Sequence, residues 1–174
     1  MTTVTLLFDA EQIAQRVGAL AAQIRDVTGV RDLALVGILK GSFMFMADLA
    51  RALDRVGARP QIEFMRLASY GQKKESSGEV QLLADAPRDF EGRPVVVVDD
   101  IVDTGLSMDY GRKLLVERNA SAVYTCALLD KPSRRKVDIA IDFVGFTIPD
   151  VFVVGYGIDF AEQYRYLPYI GKVD

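Results

Sequence analysis

Four consecutive valines, Val95 to Val98, constrain the fold of this 174-residue chain more than any other stretch. A β-branched run without polar alternation is a strand covered on both faces, as in parallel sheets with helices on each side. Leu33 to Leu39, Gln61 to Leu67, Val80 to Leu83, Ala122 to Leu129, Ile139 to Val144 and Val151 to Tyr156 read as further strands. Between them run helical patterns. Asp9 with Gln12 makes a capping box, Ile13, Val17, Leu20, Ile24 and Val27 form one apolar face, and Gly29 ends the helix. Phe45, Leu49, Leu53 and Val56 mark a second helix, and Ser107 to Arg118 a third. Strands alternating with helices give an α/β domain with a mostly parallel central sheet flanked by helices. No repeat or linker divides residues 1–174, so a single domain is expected.

Composition narrows the chemistry. The chain has no His, one Cys and no Trp. That excludes a Ser-His-Asp triad, a Cys-His dyad, an HExxH zinc site and an internal disulfide. Proton transfer near pH 7 then falls to carboxylates, Lys, Tyr, the single Cys or the substrate itself. A net charge of −3 and a pI near 5.1 do not suit a protein that coats nucleic acid, so no nucleic-acid partner is expected. The apolar runs are too short and interrupted for a membrane span. Met1 to Ala10 shows no cationic segment followed by an apolar run, and one thiol suits a reducing compartment, so a cytoplasmic location is expected.

Ligands of parallel sheets bind at the carboxyl ends of the strands. Three such ends carry chemistry: Lys40-Gly41, Asp99-Asp100 and Asp130-Lys131. After the valines, the strand is expected to deliver Asp99 and Asp100 into solvent, where hard oxygens suit Mg²⁺ or ribose hydroxyls. Thr104, Gly105 and Ser107 then precede a helix, where backbone N–H groups and the helix dipole make a phosphate cradle. A lone Asp at a strand end commonly caps a turn. Asp-Asp-x-x-Asp-Thr-Gly directly after four valines exceeds what capping requires. Ser69 to Glu79 is polar, longer than an ordinary connection and suited to a lid. Cys126 sits in an apolar run and reads as inert core, and Arg134-Arg135-Lys136 reads as a solvated loop. No GxxxxGK[ST] motif occurs, which argues against a P-loop kinase.

Val96 to Ser107 resembles the phosphoribosyl-pyrophosphate (PRPP) motif of the type I phosphoribosyltransferases. The similarity runs from about Leu33 to Gly171 and is narrower still towards the hypoxanthine (hypoxanthine-guanine) members of that family. Leu39-Lys40-Gly41-Ser42, Ser69-Tyr70, Leu128 to Lys131 and Asp142 to Asp159 carry it. The resemblance implies the type I phosphoribosyltransferase fold with a small hood over the base site, built mainly from about 131–174 with the N-terminal part, and a lid over about 69–79. It implies purine salvage: transfer of the 5-phosphoribosyl group from PRPP to hypoxanthine or guanine, giving IMP or GMP and pyrophosphate. Mg²⁺ is the implied cofactor and a homodimer or homotetramer the implied assembly.

By the same resemblance, Asp103 lies near purine N7 as the proton acceptor. Asp103, Thr104, Gly105, Leu106 and Ser107 surround the 5′-phosphate. Asp99 and Asp100 face the ribose hydroxyls and a first Mg²⁺, with Asp99 standing where Glu is the commoner residue. Asp159 would meet a second Mg²⁺. Lys40 and Gly41 form the pyrophosphate loop, whose Leu39-Lys40 bond can be a non-proline cis peptide, and Arg165 contacts pyrophosphate. Lys131 donates to purine O6, Phe152 stacks on the base, Val153 offers backbone groups to its edge, and Ser69 and Tyr70 begin the lid. A regulatory RNA-binding protein on the same fold would need a basic face, which the net charge does not suggest. A xanthine- or adenine-directed transferase fits the Asp130-Lys131 and Phe152 segments less well.

Overall fold

The valines lie where a parallel sheet is most enclosed. A computed structural model describes residues 3–69 and 79–174. The valine run belongs to the strand Pro94–Val102, which pairs in parallel with Ala34–Leu39 on one side and Ala122–Asp130 on the other. Val95 to Val98 are each 0% exposed. Val96 and Val98 join one apolar cluster, and Val95 and Val97 the other. The period-two alternation of a strand thus sends both pairs into a core, which is why no polar residue interrupts the run.

In chain order the elements are β1 (Val4–Phe8), α1 (Ala10–Thr28), β2 (Ala34–Leu39), α2 (Phe43–Arg55), β3 (Gln61–Ser69), β4 (Val80–Ala84), β5 (Pro94–Val102), α3 (Leu106–Val116), β6 (Ala122–Asp130), a 3₁₀ turn (Pro132–Arg134), β7 (Phe143–Thr147), β8 (Val153–Val154) and β9 (Ile170–Val173). The main sheet runs β4-β3-β2-β5-β6-β7, parallel throughout except for β4 against β3. Residues of α1 and α2 share a cluster with Val96 and Val98, whereas Met108 and Leu115 of α3 pack with Val95 and Val97. A second, antiparallel sheet, β1-β9-β8, joins the two ends of the chain.

Helix α1 begins as its sequence dictates. The Gln12 amide N–H donates to Asp9 Oδ1 at 2.8 Å, and the Asp9 N–H donates to Gln12 Oε1 at 2.9 Å. Ile13, Val17, Leu20 and Ile24 are buried, but Val27 is 54% exposed in the last turn before Gly29 at φ +81°. Its place in the apolar face is therefore a correction. Cys126 is fully buried, and burial pushes its thiol well above the ordinary value, as inert core requires.

Three strand boundaries also differ from expectation. β5 continues through Asp99 and Asp100, because its ladder with β6 runs on to Val102 opposite Asp130. The two carboxylates are thus part of the strand, Asp99 buried and Asp100 half-buried, not delivered into open solvent. β7 starts at Phe143 rather than Ile139. Ahead of it, the Asp142 carboxylate accepts from the Thr125 N–H at 2.8 Å, so a side chain holds β6 where a ladder bond would. β8 is only two residues long, ended by Gly155 at φ +100°. Among the described residues, no helix is long and apolar enough to cross a membrane.

Candidate active site

Four segments meet beyond the carboxyl ends of the parallel strands. The first is the β2–α2 turn. Its Leu39-Lys40 bond is cis, and the buried Ser42 hydroxyl donates to the Ile38 carbonyl at 2.6 Å. Gly41 is required there by close approach: a Cβ would run into the Asp100 carboxylate. At Gly157, φ +98°, a Cβ would run into the Gly41 carbonyl oxygen, again leaving no room for a side chain. Lys40 and Gly41 are thereby clamped between β5 and the C-terminal loop.

The second segment is the end of β5. Asp99 is 8% exposed. Its Oδ1 accepts from the Asp100 N–H at 2.9 Å, and Asp100 Oδ1 accepts from the Ile101 N–H at 2.9 Å. Burial raises the proton affinity of both carboxyls, and the neighbouring Asp100 charge raises Asp99 further. Two adjacent carboxylates, Asp99 buried and Asp100 half-buried, with oxygen-only chemistry fit a hard divalent cation, which would offset that cost. Among the described residues, no three His, Cys, Asp or Glu side chains cluster as a metal cage. Mg²⁺ commonly rests on one or two carboxylates and completes its shell with water and substrate phosphates, so the donor set still fits.

The third segment is the loop into α3. Gly105 caps the helix at φ +85°, where a Cβ would crowd the Arg135, Ile139 and Val137 side chains at 2.9–3.1 Å. No side chain caps the helix; the Thr104 hydroxyl only accepts a long bond of 3.4 Å from the Leu106 N–H. The first turn of α3 therefore presents its N–H groups to a cavity of about 260 Å³ that Asp99, Asp103, Thr104, Gly105 and Ser107 help to line.

The fourth segment follows β6. Lys131 is only 6% exposed, and its Nζ lies 3.6 Å from Asp150 Oδ1. It lines a neighbouring cavity of about 350 Å³ with Arg134, Asp150, Phe152, Val153 and Asp159. Phe152 is 51% exposed and meets Phe160 edge-on at 5.4 Å, whereas Val153 is buried in β8. Asp103 and Ile101 line both cavities, so Asp103 stands at the seam between them. The Asp103 Oδ1 is buried without an aligned hydrogen bond, although Arg134 Nε approaches to 3.0 Å.

The basic run 134–136 is solvated at Arg134 and Lys136 but half-buried at Arg135, and two of its side chains turn towards acids of the site. Arg134 faces Asp103 and Asp150. Arg135 pairs with Asp130 and donates to the Asp103 carbonyl at 3.0 Å, fixing the loop that leads into α3. In sequence Arg134 reads only as part of a solvated basic run and Asp150 carries no role; Arg134 closely follows the Asp130-Lys131 strand end, whereas Asp150 arrives from beyond β7. Asp159 pairs with Arg165, whose guanidinium lies 3.0 Å from its carboxylate. Ser69 closes β3, and Tyr70 with the expected lid through 78 lies outside the described residues. A larger hollow of about 410 Å³ lies between α1, α2 and the Tyr166–Pro168 turn, away from all these strand ends. Size alone does not locate the chemistry. The convergent carboxylates, lysine and bare helix N-terminus do.

Acidic groups beside an uncapped helix N-terminus on a parallel sheet suit a phosphorylated sugar, the kind of ligand held by the phosphoribosyltransferase family. The chain belongs to that family: the phosphoribosyl transferase domain matches residues 3–161. Within the family it groups with the hypoxanthine and hypoxanthine-guanine phosphoribosyltransferases. It is 44% identical over 173 residues to the hypoxanthine phosphoribosyltransferase of Escherichia coli, covering 98% of this chain and 96% of that one. The hypoxanthine-guanine phosphoribosyltransferase of Bacillus subtilis is 43% identical over 166 residues, with 95% and 91% covered. The crystal structure of a hypoxanthine-guanine phosphoribosyltransferase from Bacillus anthracis superposes with a TM-score of 0.90 at 39% identity, covering all of both chains.

Proposed function

We propose that this chain transfers the 5-phosphoribosyl group of PRPP to hypoxanthine or guanine, forming IMP or GMP and releasing pyrophosphate. The position of Asp103 between a phosphate-binding cavity and a base-sized cavity carries this assignment. In the transfer, the bond from ribose C1 to pyrophosphate breaks as a bond to purine nitrogen forms, and the purine gives up one proton.

The chain's residues divide that work. The first turn of α3, with Thr104, Gly105, Leu106 and Ser107, holds the 5′-phosphate through N–H groups and dipole. Asp99 and Asp100 orient the ribose. Asp103 accepts the purine proton as positive charge develops on the ring. Lys131, buried in the base cavity, donates to the purine oxygen at position 6; an amino group there would set donor against donor. Phe152 covers the base face and Val153 offers backbone groups to its edge. Lys40, Gly41 and Arg165 receive pyrophosphate, and Ser69 with Tyr70 begins a lid that excludes water. Asp99, Asp100 and Asp159 are the groups that would hold Mg²⁺, which when bound neutralises charge on the pyrophosphate.

The described chain forms one domain in which the small sheet and the segment 131–174 make a hood over the base. A cytoplasmic homodimer or homotetramer completes the proposal. The direct test is incubation with PRPP, Mg²⁺ and each of hypoxanthine, guanine, xanthine and adenine, following nucleotide formation. Product from hypoxanthine or guanine is expected. Its absence with both overturns the assignment.

A further inference from the structure

Glu162 sits between the two side chains assigned to pyrophosphate. Both of its carboxylate oxygens accept from Lys40 Nζ at 2.8 Å, and Oε1 lies 3.3 Å from the Arg165 guanidinium. These contacts hold the carboxyl below the usual range, Lys40 foremost. Arg165 meanwhile donates to the Gly157 carbonyl at 2.8 Å and pairs with Asp159, and its buried Nε–H has no partner among the described residues.

The backbone is bent to aim this carboxylate. Ala161, Glu162 and Tyr164 have φ of +51°, +62° and +73°, values that side chains other than glycine rarely adopt. The turn is fixed by paired bonds between Phe160 and Gln163 and by the Glu162 N–H donating to Asp159 Oδ2 at 2.8 Å. Three left-handed residues in four positions, beside a ligand-binding loop, fit a role at the site rather than in the core.

We propose that Glu162 is an internal competitor of pyrophosphate for Lys40 and Arg165. An incoming phosphate must displace the carboxylate from these cations, and the carboxylate returns as pyrophosphate leaves. Glu162 thus weakens binding of the leaving group and favours its release. The proposal rests on the pyrophosphate role of Lys40 and Arg165 given above.

The test is calorimetric titration of the full chain with inorganic pyrophosphate, with and without Mg²⁺, for the unaltered protein, Glu162→Gln and Glu162→Asp. Loss of two exposed ion pairs implies about three- to ten-fold tighter pyrophosphate binding by Glu162→Gln. Glu162→Asp, which keeps the charge, should remain closer to the unaltered protein. The Michaelis constant for PRPP should fall in parallel in Glu162→Gln. Unchanged or weaker pyrophosphate binding in Glu162→Gln overturns the proposal, since the carboxylate would then only organise Lys40 and Arg165. The titration uses no purine. Tighter binding by Glu162→Gln in a chain that forms no nucleotide would therefore sink the base assignment and leave the role of Glu162 standing.

Discussion

Arg134 Nε lies 3.0 Å from Asp103 Oδ1, and the same guanidinium reaches Asp150 Oδ1 at 3.6 Å. One half-exposed arginine therefore ties the carboxylate at the seam of the two cavities to the far wall of the base cavity. Arg134→Ala releases both acids. Displacement of a reacting group by a fraction of an ångström is costly, so kcat/KM for the purine should fall about ten-fold or more. The Michaelis constant for PRPP should stay unchanged, because Arg134 does not line the phosphate cavity. Steady-state kinetics with each substrate varied in turn separates the two.

Lys131 is the residue expected to tell an oxygen from an amino group on the purine. Lys131→Met keeps much of the buried stem and removes the donor. Turnover of hypoxanthine and guanine, as kcat/KM, should fall about 10²-fold or more. Adenine should gain relative to both. A uniform loss on every base would place the role of Lys131 in folding instead.

Gly157→Ala adds a methyl group against the Gly41 carbonyl at a φ of +98°. The clamp on the Lys40-Gly41 turn must open or strain. Destabilisation of about 1–3 kcal/mol is expected from overpacking and the left-handed backbone together. Denaturant titration reports it, and the Michaelis constant for PRPP should rise because the same turn is assigned to pyrophosphate.

Acid stability should report the Asp85–Arg118 pair. Arg118 donates to Asp85 Oδ1 at 2.6 Å and to the Ala86 and Pro87 carbonyls at 2.9 and 3.1 Å, pinning the connection from β4 to β5 against the end of α3. Its hydrogen bond holds the Asp85 carboxyl below the ordinary value of 3.8. A depressed folded value means the contribution is whole above the unfolded value and disappears as pH falls through the folded one. Asp85→Asn should cost up to about 1 kcal/mol at neutral pH, and the difference from the unaltered protein should shrink below the ordinary carboxylate range. Melting curves across that interval check the sign.

What sequence revealed, and what it did not, follows from how far each signal reaches. The capping box of α1 is written within four residues, Asp9 to Gln12, and forms as expected. The four valines announced a doubly covered strand, because burial on both faces removes polar alternation at once. The β5 carboxylates were legible as residues but not in their surroundings, since only pairing with β6 shows that Asp99 is enclosed. β1 and β9 escaped notice: both are short, β1 is partly exposed, and they pair across almost the whole chain. Arg134 and Asp150 lie at the base cavity for a similar reason. Their charges look solvated until the turn after β6 brings Arg134 to both Asp103 and Asp150. Glu162 contacts Lys40 from 122 positions away, a distance no local pattern encodes.

The assignment of Asp103 as proton acceptor is tested most directly by Asp103→Asn, which keeps size and hydrogen-bonding while removing the base. PRPP affinity, measured by calorimetry without purine, should change by no more than about two-fold. Nucleotide formation from hypoxanthine, measured as the single-turnover rate constant, should fall about 10²- to 10³-fold. Unchanged turnover, or a loss of PRPP binding as large as the loss of rate, would contradict that role.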